Sequence, residues 1–235
     1  MGCDIHFYVE KKQPDGTWKI HGEFTREVED EHTWLSQDGR PLYSGRSYNL
    51  FAILADVRNG RGFAGIKTGD GFNPISEPRG VPDDASPEYK EIVEQWDGDG
   101  HSHSHHTLRQ LLDYDWTQCT TCQGWATMAE YLPWASRGLT RRGPESYSGG
   151  VSGRDVQHLD DSEAAQLVKQ FDELNWDDRK AFIQQHQKKY ALAVWQPTYY
   201  DCAGSFVSGT IPELLKLSVG TSGLDNIRIV FFFDN

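Results

Sequence analysis

The sequence contains no apolar run of about 18 residues, the length that a helix needs to cross a bilayer. Its opening decapeptide, MGCDIHFYVE, lacks the basic region and the following apolar stretch of a signal peptide. We therefore expect a cytoplasmic protein that does not associate with membranes. Cysteine is also scarce, with four residues in 235, and in a cytoplasmic chain we expect thiols or metal ligands rather than disulfides.

Positive charge is in deficit, because 23 Lys and Arg stand against 35 Asp and Glu, for a net charge of −12. An acidic surface repels phosphate backbones, so the composition argues against broad nucleic-acid binding. The only dense basic cluster is Arg137, Arg141 and Arg142, which is too small for that role. With 8 Trp, 10 Tyr and 11 Phe, the chain has too many aromatic residues for a disordered protein.

Several catalytic motifs are missing as well. The sequence has neither a G-x-S-x-G nucleophile motif nor a GxxxxGK[ST] phosphate loop. The glycine-rich run at 60–65 lacks the strand and helix context of a dinucleotide fingerprint. These absences exclude the common serine-hydrolase, P-loop and Rossmann classes.

Strand patterns occur at both ends of the chain. Residues 5–10 alternate and are rich in β-formers, Pro14-Asp15-Gly16 is a turn, and residues 17–21 return as a partner strand. The run IRIVFFF at 227–233 predicts a C-terminal strand. Helices are predicted between them, so we expect an α+β fold whose mostly antiparallel sheet joins the N-terminal hairpin to the C-terminal strand.

Helices and long loops are expected between these strands. Apolar residues on one helical face predict a helix at 48–57, and Ser86-Pro87-Glu88 has the residue types that begin a helix. The polar segment 30–47 and the Gly- and Pro-rich segment 58–84 are predicted loops. We see no domain boundary, and we expect a single domain over residues 1–235.

Histidine is concentrated in one short run, with four of the nine His residues between positions 101 and 106. Asp99, His101, His103 and His105 alternate, so in an extended segment their side chains project to one side. Imidazole and carboxylate groups bind first-row metals, which makes this run a candidate metal site. The alternative is a solvated loop whose histidines titrate and do little.

A second pair, Asp4 and His6, shares one face of the N-terminal strand. Together with His101 and His103 it would form a ligand set for a divalent metal, with zinc the first candidate. His101 and His103 are then the predicted catalytic residues, since a histidine can also serve as a general base. A buried strand cysteine at position 3 and a structural His6 form the alternative interpretation.

Cys119 and Cys122 form a single C-x-x-C knuckle. A zinc site needs a second pair, which only the distant Cys3 and Cys202 offer. A thioredoxin-type redox motif is less favoured, because no βαβ pattern surrounds the knuckle.

Four arginines in or beside the Gly- and Pro-rich loop form the candidate ligand-binding set. Arginine grips phosphate or carboxylate with two hydrogen bonds, and glycine allows close backbone approach. A surface salt-bridge loop is the alternative. The four residues are Arg46, Arg58, Arg61 and Arg79.

Four segments together resemble a family of bacteriophage and prophage proteins for which no activity is established. They are the opening MGCDIH, RSYNLF at 46–51, PRGVP at 78–82, and HSHS at 101–104 with Thr107-Leu108. The resemblance covers about the first 115 residues and the last strand, so we expect 117–160 to be a variable insertion. The resemblance implies an accessory protein of a phage that is expressed in a bacterial cytoplasm. Such a protein could act against host defence.

The leading hypothesis is a metal-dependent hydrolase of a phosphate-containing small molecule or nucleotide. The metal would lower the pKa of a bound water, and the arginines would stabilise the phosphate. The alternative is a non-enzymatic binding protein that sequesters a nucleotide or a host-defence signalling molecule. A third hypothesis is an acidic protein that blocks a host protein by surface contact.

Overall fold

The computed structural model describes residues 2–29, 32–220 and 223–235. The fold divides into two compact units. The first comprises Met1–Asn59, Phe72–Trp116 and Cys202–Asn235, and the second comprises Gly60–Gly71 and Thr117–Asp201. The segment 117–160, predicted to be a variable insertion, lies within the second unit. The expectation that the whole chain forms a single domain stays a prediction.

The first unit is an antiparallel sheet covered by helices, with a separate two-stranded ribbon. Its strands are β1 (Asp4–Lys12), β2 (Trp18–Ile20), β3 (Phe24–Glu29), β4 (His32–Gln37), β5 (His101–Thr107) and β9 (Ile227–Asp234). Its helices are α1 (Tyr48–Ala55), α2 (Pro87–Gln95), α3 (Leu108–Asp113) and α8 (Ile211–Ser218), with a π-helical turn at Phe206–Thr210 and a 3₁₀ turn at Leu224–Asn226.

The sheet has the strand order β2-β1-β9-β5, so β9 lies at its centre between β1 and β5. Its residues from Ile227 to Phe233 are all buried, which explains why all of them except Arg228 are apolar. In β1 burial alternates, with Ile5, Phe7 and Val9 buried against α1, α3 and α8 in the larger core. The other face of β9 packs Val230 and Phe232 against α2.

The second unit has its own sheet and core. It contains β6 (Cys122–Thr127), α4 (Met128–Ser136), β7 (Gln157–His158), α5 (Asp161–Glu173), α6 (Trp176–Gln185) and β8 (Lys189–Trp195), with a 3₁₀ turn at Phe63–Gly65. Strand β8 lies between β6 and β7, antiparallel to the first and parallel to the second. Met128, Leu132, Leu167 and Phe171 form much of its core. A short helix, α7 (Tyr199–Ala203), crosses the boundary between the units in the sequence.

The predicted α+β class is confirmed, and β1 pairs with β9 along its length. The N-terminal hairpin, helix α1 and the start of α2 at Ser86 are confirmed too; the Ser86 hydroxyl accepts from the Tyr89 amide. The prediction of a loop over 30–47 is wrong for β4, which pairs with β3 although its sequence is polar. Every helix among the residues that the structure describes is too short or too polar to span a bilayer.

Candidate functional site

His6 lies on the α2 side of the sheet, directly opposite Phe232 on β9. Its ring stacks on Phe232 at a centroid distance of 4.7 Å and contacts the Trp96 ring at 4.1 Å. Its Nε2 atom lies 3.3 Å from Asp234 Oδ2. Aromatic packing and one carboxylate therefore fix the orientation of this imidazole.

His103 lies on the same face as His6, on the other side of Phe232. The His103 and Phe232 ring centroids are 5.0 Å apart. Because β1 and β5 flank β9, their backbones are separated by two strand spacings, or about 10 Å. His6 and His103 therefore both contact the Phe232 ring, from the two strands that flank it.

His101 lies on the opposite face, because a bulge interrupts β5. The register shifts between His101 and Ser104, and Ser102 takes the left-handed region at φ 51°. His101 pairs with Phe233 and contacts its ring at 6.1 Å. The expected alternation of His101 with His103 and His105 is thus broken by one extra residue.

The Asp4 carboxylate is engaged by Arg46. The Arg46 Nε atom donates to Asp4 Oδ1 at 2.7 Å, and Nη2 donates to the second oxygen. These hydrogen bonds lower the pKa of Asp4. Among the described residues, no three His, Cys, Asp or Glu side chains are arranged to hold a metal ion. His6 and Asp234 lie 3.3 Å apart as one pair of possible ligands, and the metal site stays a prediction.

Two further arginines have structural partners. Arg79 donates through Nη1 to the His105 carbonyl at 3.2 Å and to Gln110 Oε1 at 3.1 Å, and burial lowers its pKa. Arg61 belongs to the second unit, where Nη1 donates to the Gly65 carbonyl at 3.1 Å. Of the four predicted arginines, Arg58 lines a cavity of the first unit.

This cavity has a volume of about 360 Å³ and lies where the end of α1, the 77–78 loop and the start of β5 meet. Its size is in the range of small-molecule sites. The lining residues are Ala55, Asp56, Val57, Arg58, Glu77, Pro78, His101, Ser102 and Asn235. Two residues predicted from the sequence, Arg58 and His101, therefore share one cavity.

Arg58 is held in position by neighbours from both ends of the chain. Its Nη2 atom donates to Asn235 Oδ1 at 3.0 Å and to the Gly2 carbonyl at 3.3 Å. The guanidinium also lies over the Tyr48 ring, 4.9 Å from the centroid. These contacts restrict the Arg58 side chain, which lowers the entropic cost of binding a ligand there.

Backbone strain is concentrated at this cavity. Asp56, Arg58 and Ser102 have φ angles of 56°, 55° and 51°, and the described residues include one other non-glycine in this region, Ala64. Left-handed backbone costs an L-residue about 1–2 kcal/mol. Asp56 is explained locally, since it ends α1. Strain that persists at Arg58 and Ser102 is typical of functional sites.

His101 lines the cavity with a partly buried imidazole. Burial lowers its pKa, and the Arg58 charge lowers it further, against the opposing effects of Asp234 and Asn235. Its Nδ1 atom lies 3.0 Å from the Ser102 hydroxyl. Its Nε2 atom is buried, and a side-chain hydrogen bond with Asn235 acts on the ring in the direction that raises the pKa.

The sequence did not identify the acidic members of the cavity, Asp56 and Glu77, or Asn235. Asp56 follows an apolar helix, and Glu77 lies in a loop with other polar residues. No motif or spacing in the sequence distinguishes these two residues from the other Asp and Glu residues of the chain. Their proximity to Arg58 depends on tertiary packing alone.

None of the four cysteines forms a disulfide: Cys3 and Cys122 are buried, Cys119 is exposed and Cys202 is half-buried. Burial raises the pKa of Cys3, while Arg58 acts in the opposite direction. The predicted four-cysteine zinc site stays a prediction.

Comparisons with known proteins add no relative: no family model matches the chain, no curated protein is similar to it, and no solved structure matches it.

Proposed function

We propose that the chain binds a phosphate-containing small molecule, with a nucleotide as the first candidate, in the cavity around Arg58 and His101. The observation that carries the proposal is that these two residues line one cavity of about 360 Å³. Arginine recognises phosphate through paired charged hydrogen bonds. His101 and Asn235, which also line the cavity, supply further polar groups beside Arg58.

The acidic members of the cavity fit the rest of a nucleotide. Asp56 and Glu77 accept hydrogen bonds, so they suit ribose hydroxyls or the exocyclic amine of a base. The same carboxylates disfavour a ligand that is anionic throughout, such as inorganic polyphosphate. The mixed charge therefore favours a molecule with one anionic group and several hydrogen-bond donors.

Sequestration without turnover is the form of this function that the geometry supports best. Arg58 and His101 share the cavity, whereas His6 and His103 lie on the other face of the sheet and Asp4 is paired with Arg46. Hydrolysis by a bound metal would need ligands that converge. The resemblance to phage proteins makes a host signalling nucleotide one candidate ligand.

Recovery of the bound molecule distinguishes binding from hydrolysis. Full-length protein is incubated with a nucleoside triphosphate mixture, desalted and denatured, and the released molecules are identified by mass spectrometry. Intact nucleotide at about one per chain supports sequestration. Recovery of cleaved product alone contradicts it and favours hydrolysis.

Two matched variants test whether the nucleotide binds in the cavity around Arg58. Arg58→Gln removes the charged contact, whereas Arg40→Gln removes an arginine from an exposed segment outside the cavity. We expect the nucleotide to be lost from the first variant and kept by the second. The metal-dependent alternative is tested in parallel by elemental analysis. About one metal ion per chain that is lost in His101→Ala/His103→Ala would support it.

A further inference from the structure

A second cavity, of about 330 Å³, lies in the second unit among α4, α5 and α6. Pro133, Phe171 and Ile183 supply its apolar lining, and Phe171 is itself buried in the core of that unit. This cavity shares no residue with the cavity around Arg58. The volume is large enough to accept one aromatic or branched aliphatic side chain.

Three cationic side chains line the same cavity: Arg137, Arg179 and Lys180. None of them forms an ion pair with any residue that the structure describes, and no acidic side chain in that part of the chain lines the cavity. Arg179 lies over the Phe171 ring at 4.5 Å and donates to the Leu174 carbonyl. In a chain with a net charge of −12, the charged side chains that line this cavity are all positive, although Asp172 at its edge accepts a hydrogen bond from the lining residue Ser136.

Helix α6, which forms one wall, has little burial of its own. None of its ten residues is fully buried, and Trp176 at its first position is 82% exposed. Helices in proteins are stabilised mainly by packing of an apolar face. In α6 this face, with Phe182 and Ile183, packs against the core of the unit but stays partly exposed, which leaves room for a partner. Tryptophan and arginine are also the residues most enriched at the energetic centres of protein interfaces.

We propose that this cleft binds an acidic segment of a partner protein that inserts one large apolar side chain between α4 and α6. The apolar lining would bury the inserted side chain, and Arg137 and Lys180 would pair with flanking carboxylates. Trp176 lies beside the cavity and would cover the segment. Charge complementarity selects an acidic partner, and the concave shape favours a peptide over a flat membrane surface.

The test uses full-length protein and a panel of six-residue acidic peptides with Phe, Trp or Leu at the centre. Binding is measured by calorimetry, and Trp176 is followed by fluorine NMR of 5-fluorotryptophan protein, with its signal assigned from Trp176→Phe. We expect saturable one-to-one binding by at least one peptide and a shift of the Trp176 signal. Peptides with lysine in place of the acidic residues are expected not to bind.

Charge-reversal variants assign the site. Arg137→Glu/Lys180→Glu is expected to weaken binding about tenfold or more, because it replaces attraction by repulsion. Lys169→Glu/Lys188→Glu changes the net charge equally at exposed positions outside the cleft and is expected to bind as the wild type does. Circular dichroism verifies that both variants are folded.

Three results would overturn the proposal. The first is no saturable binding by any acidic peptide, and the second is equal binding by Arg137→Glu/Lys180→Glu and by its control. The third is binding to phosphatidylglycerol-containing vesicles, but not to the peptides, that is lost in Arg137→Glu/Lys180→Glu, which would assign this surface to lipid. None of these results depends on nucleotide binding at Arg58.

Discussion

The side chains of Glu10 and Arg228 form a buried ion pair in the first unit, with 2.6 Å between Arg228 Nε and Glu10 Oε2. The second Glu10 oxygen accepts from the Ser86 amide at 2.7 Å, and Arg228 Nη1 donates to Asp84 Oδ1 at 2.7 Å. This network joins β1 and β9 to the segment that begins α2. It therefore holds α2 against the sheet face that carries His6 and His103.

We predict that Arg228→Met destabilises the protein by about 3–5 kcal/mol, because it leaves the Glu10 carboxylate buried without its partner. The double variant Glu10→Leu/Arg228→Met is expected to lose less of the free energy of unfolding than Arg228→Met alone, because it leaves no unpaired buried carboxylate at position 10. Urea denaturation measures both. Arg26→Met, which breaks the exposed pair with Glu91, serves as the control and is expected to cost under about 1 kcal/mol. Similar losses in Arg228→Met and Arg26→Met would contradict the prediction.

The stability of the protein is predicted to fall in acid through His106. Burial lowers the pKa of His106 from 6.5 to about 4; the hydrogen bond to the Leu54 carbonyl opposes the shift, while Arg79 and His105 add to it. Between these values the unfolded chain binds a proton that the folded chain does not. Stability from this residue is therefore complete above pH 6.5 and is lost as the pH falls to 4, by roughly 3 kcal/mol.

The measurement is the free energy of unfolding at several pH values between 4 and 7. We expect His106→Gln to have a flatter pH dependence, because glutamine can donate to the Leu54 carbonyl but does not titrate. His21→Gln alters an exposed histidine and is expected to keep the wild-type profile. Equal slopes in all three proteins would contradict a role for His106.

Replacing Ser102 by glycine is predicted to stabilise the protein by up to about 1 kcal/mol. The left-handed backbone at φ 51° costs serine about 1–2 kcal/mol, and glycine relieves this strain. The gain is partly offset by the larger backbone entropy that glycine gives the unfolded chain and by the lost contact with His101. Thermal denaturation gives the comparison. Ser162→Gly, within the ordinary helical backbone of α5, is expected to destabilise by about 0.5 kcal/mol. If Ser102→Gly destabilises the protein, the backbone strain at position 102 is smaller than the stabilisation that the serine side chain provides.

The central strands and the start of α2 in the first unit could be predicted from the sequence more directly than the candidate site could. Alternation in β1, the apolar run of β9 and the serine before Pro87 are local patterns, and local patterns determine these elements. Strand β4 was not predicted, because pairing with β3 overrides its polar composition.

Local patterns do not determine which site residues meet. The position of His101 depends on the bulge at Ser102, a one-residue change of register with no sequence signature. Arg58 and Asn235 are in contact although 177 residues separate them along the chain. Arg58 and His101 were each identifiable as candidates, but their common cavity depends on the way that α1 and β5 pack.

Calorimetric titration with nucleoside mono-, di- and triphosphates tests the central claim most directly. The account predicts saturable one-to-one binding by at least one of them to the wild type. It also predicts binding about tenfold weaker or worse in Arg58→Gln, since a charged hydrogen bond contributes about 1.5–3 kcal/mol, and unchanged binding in Arg40→Gln. No saturable binding of any nucleotide at millimolar concentration, or equal binding by Arg58→Gln and the wild type, would contradict the account.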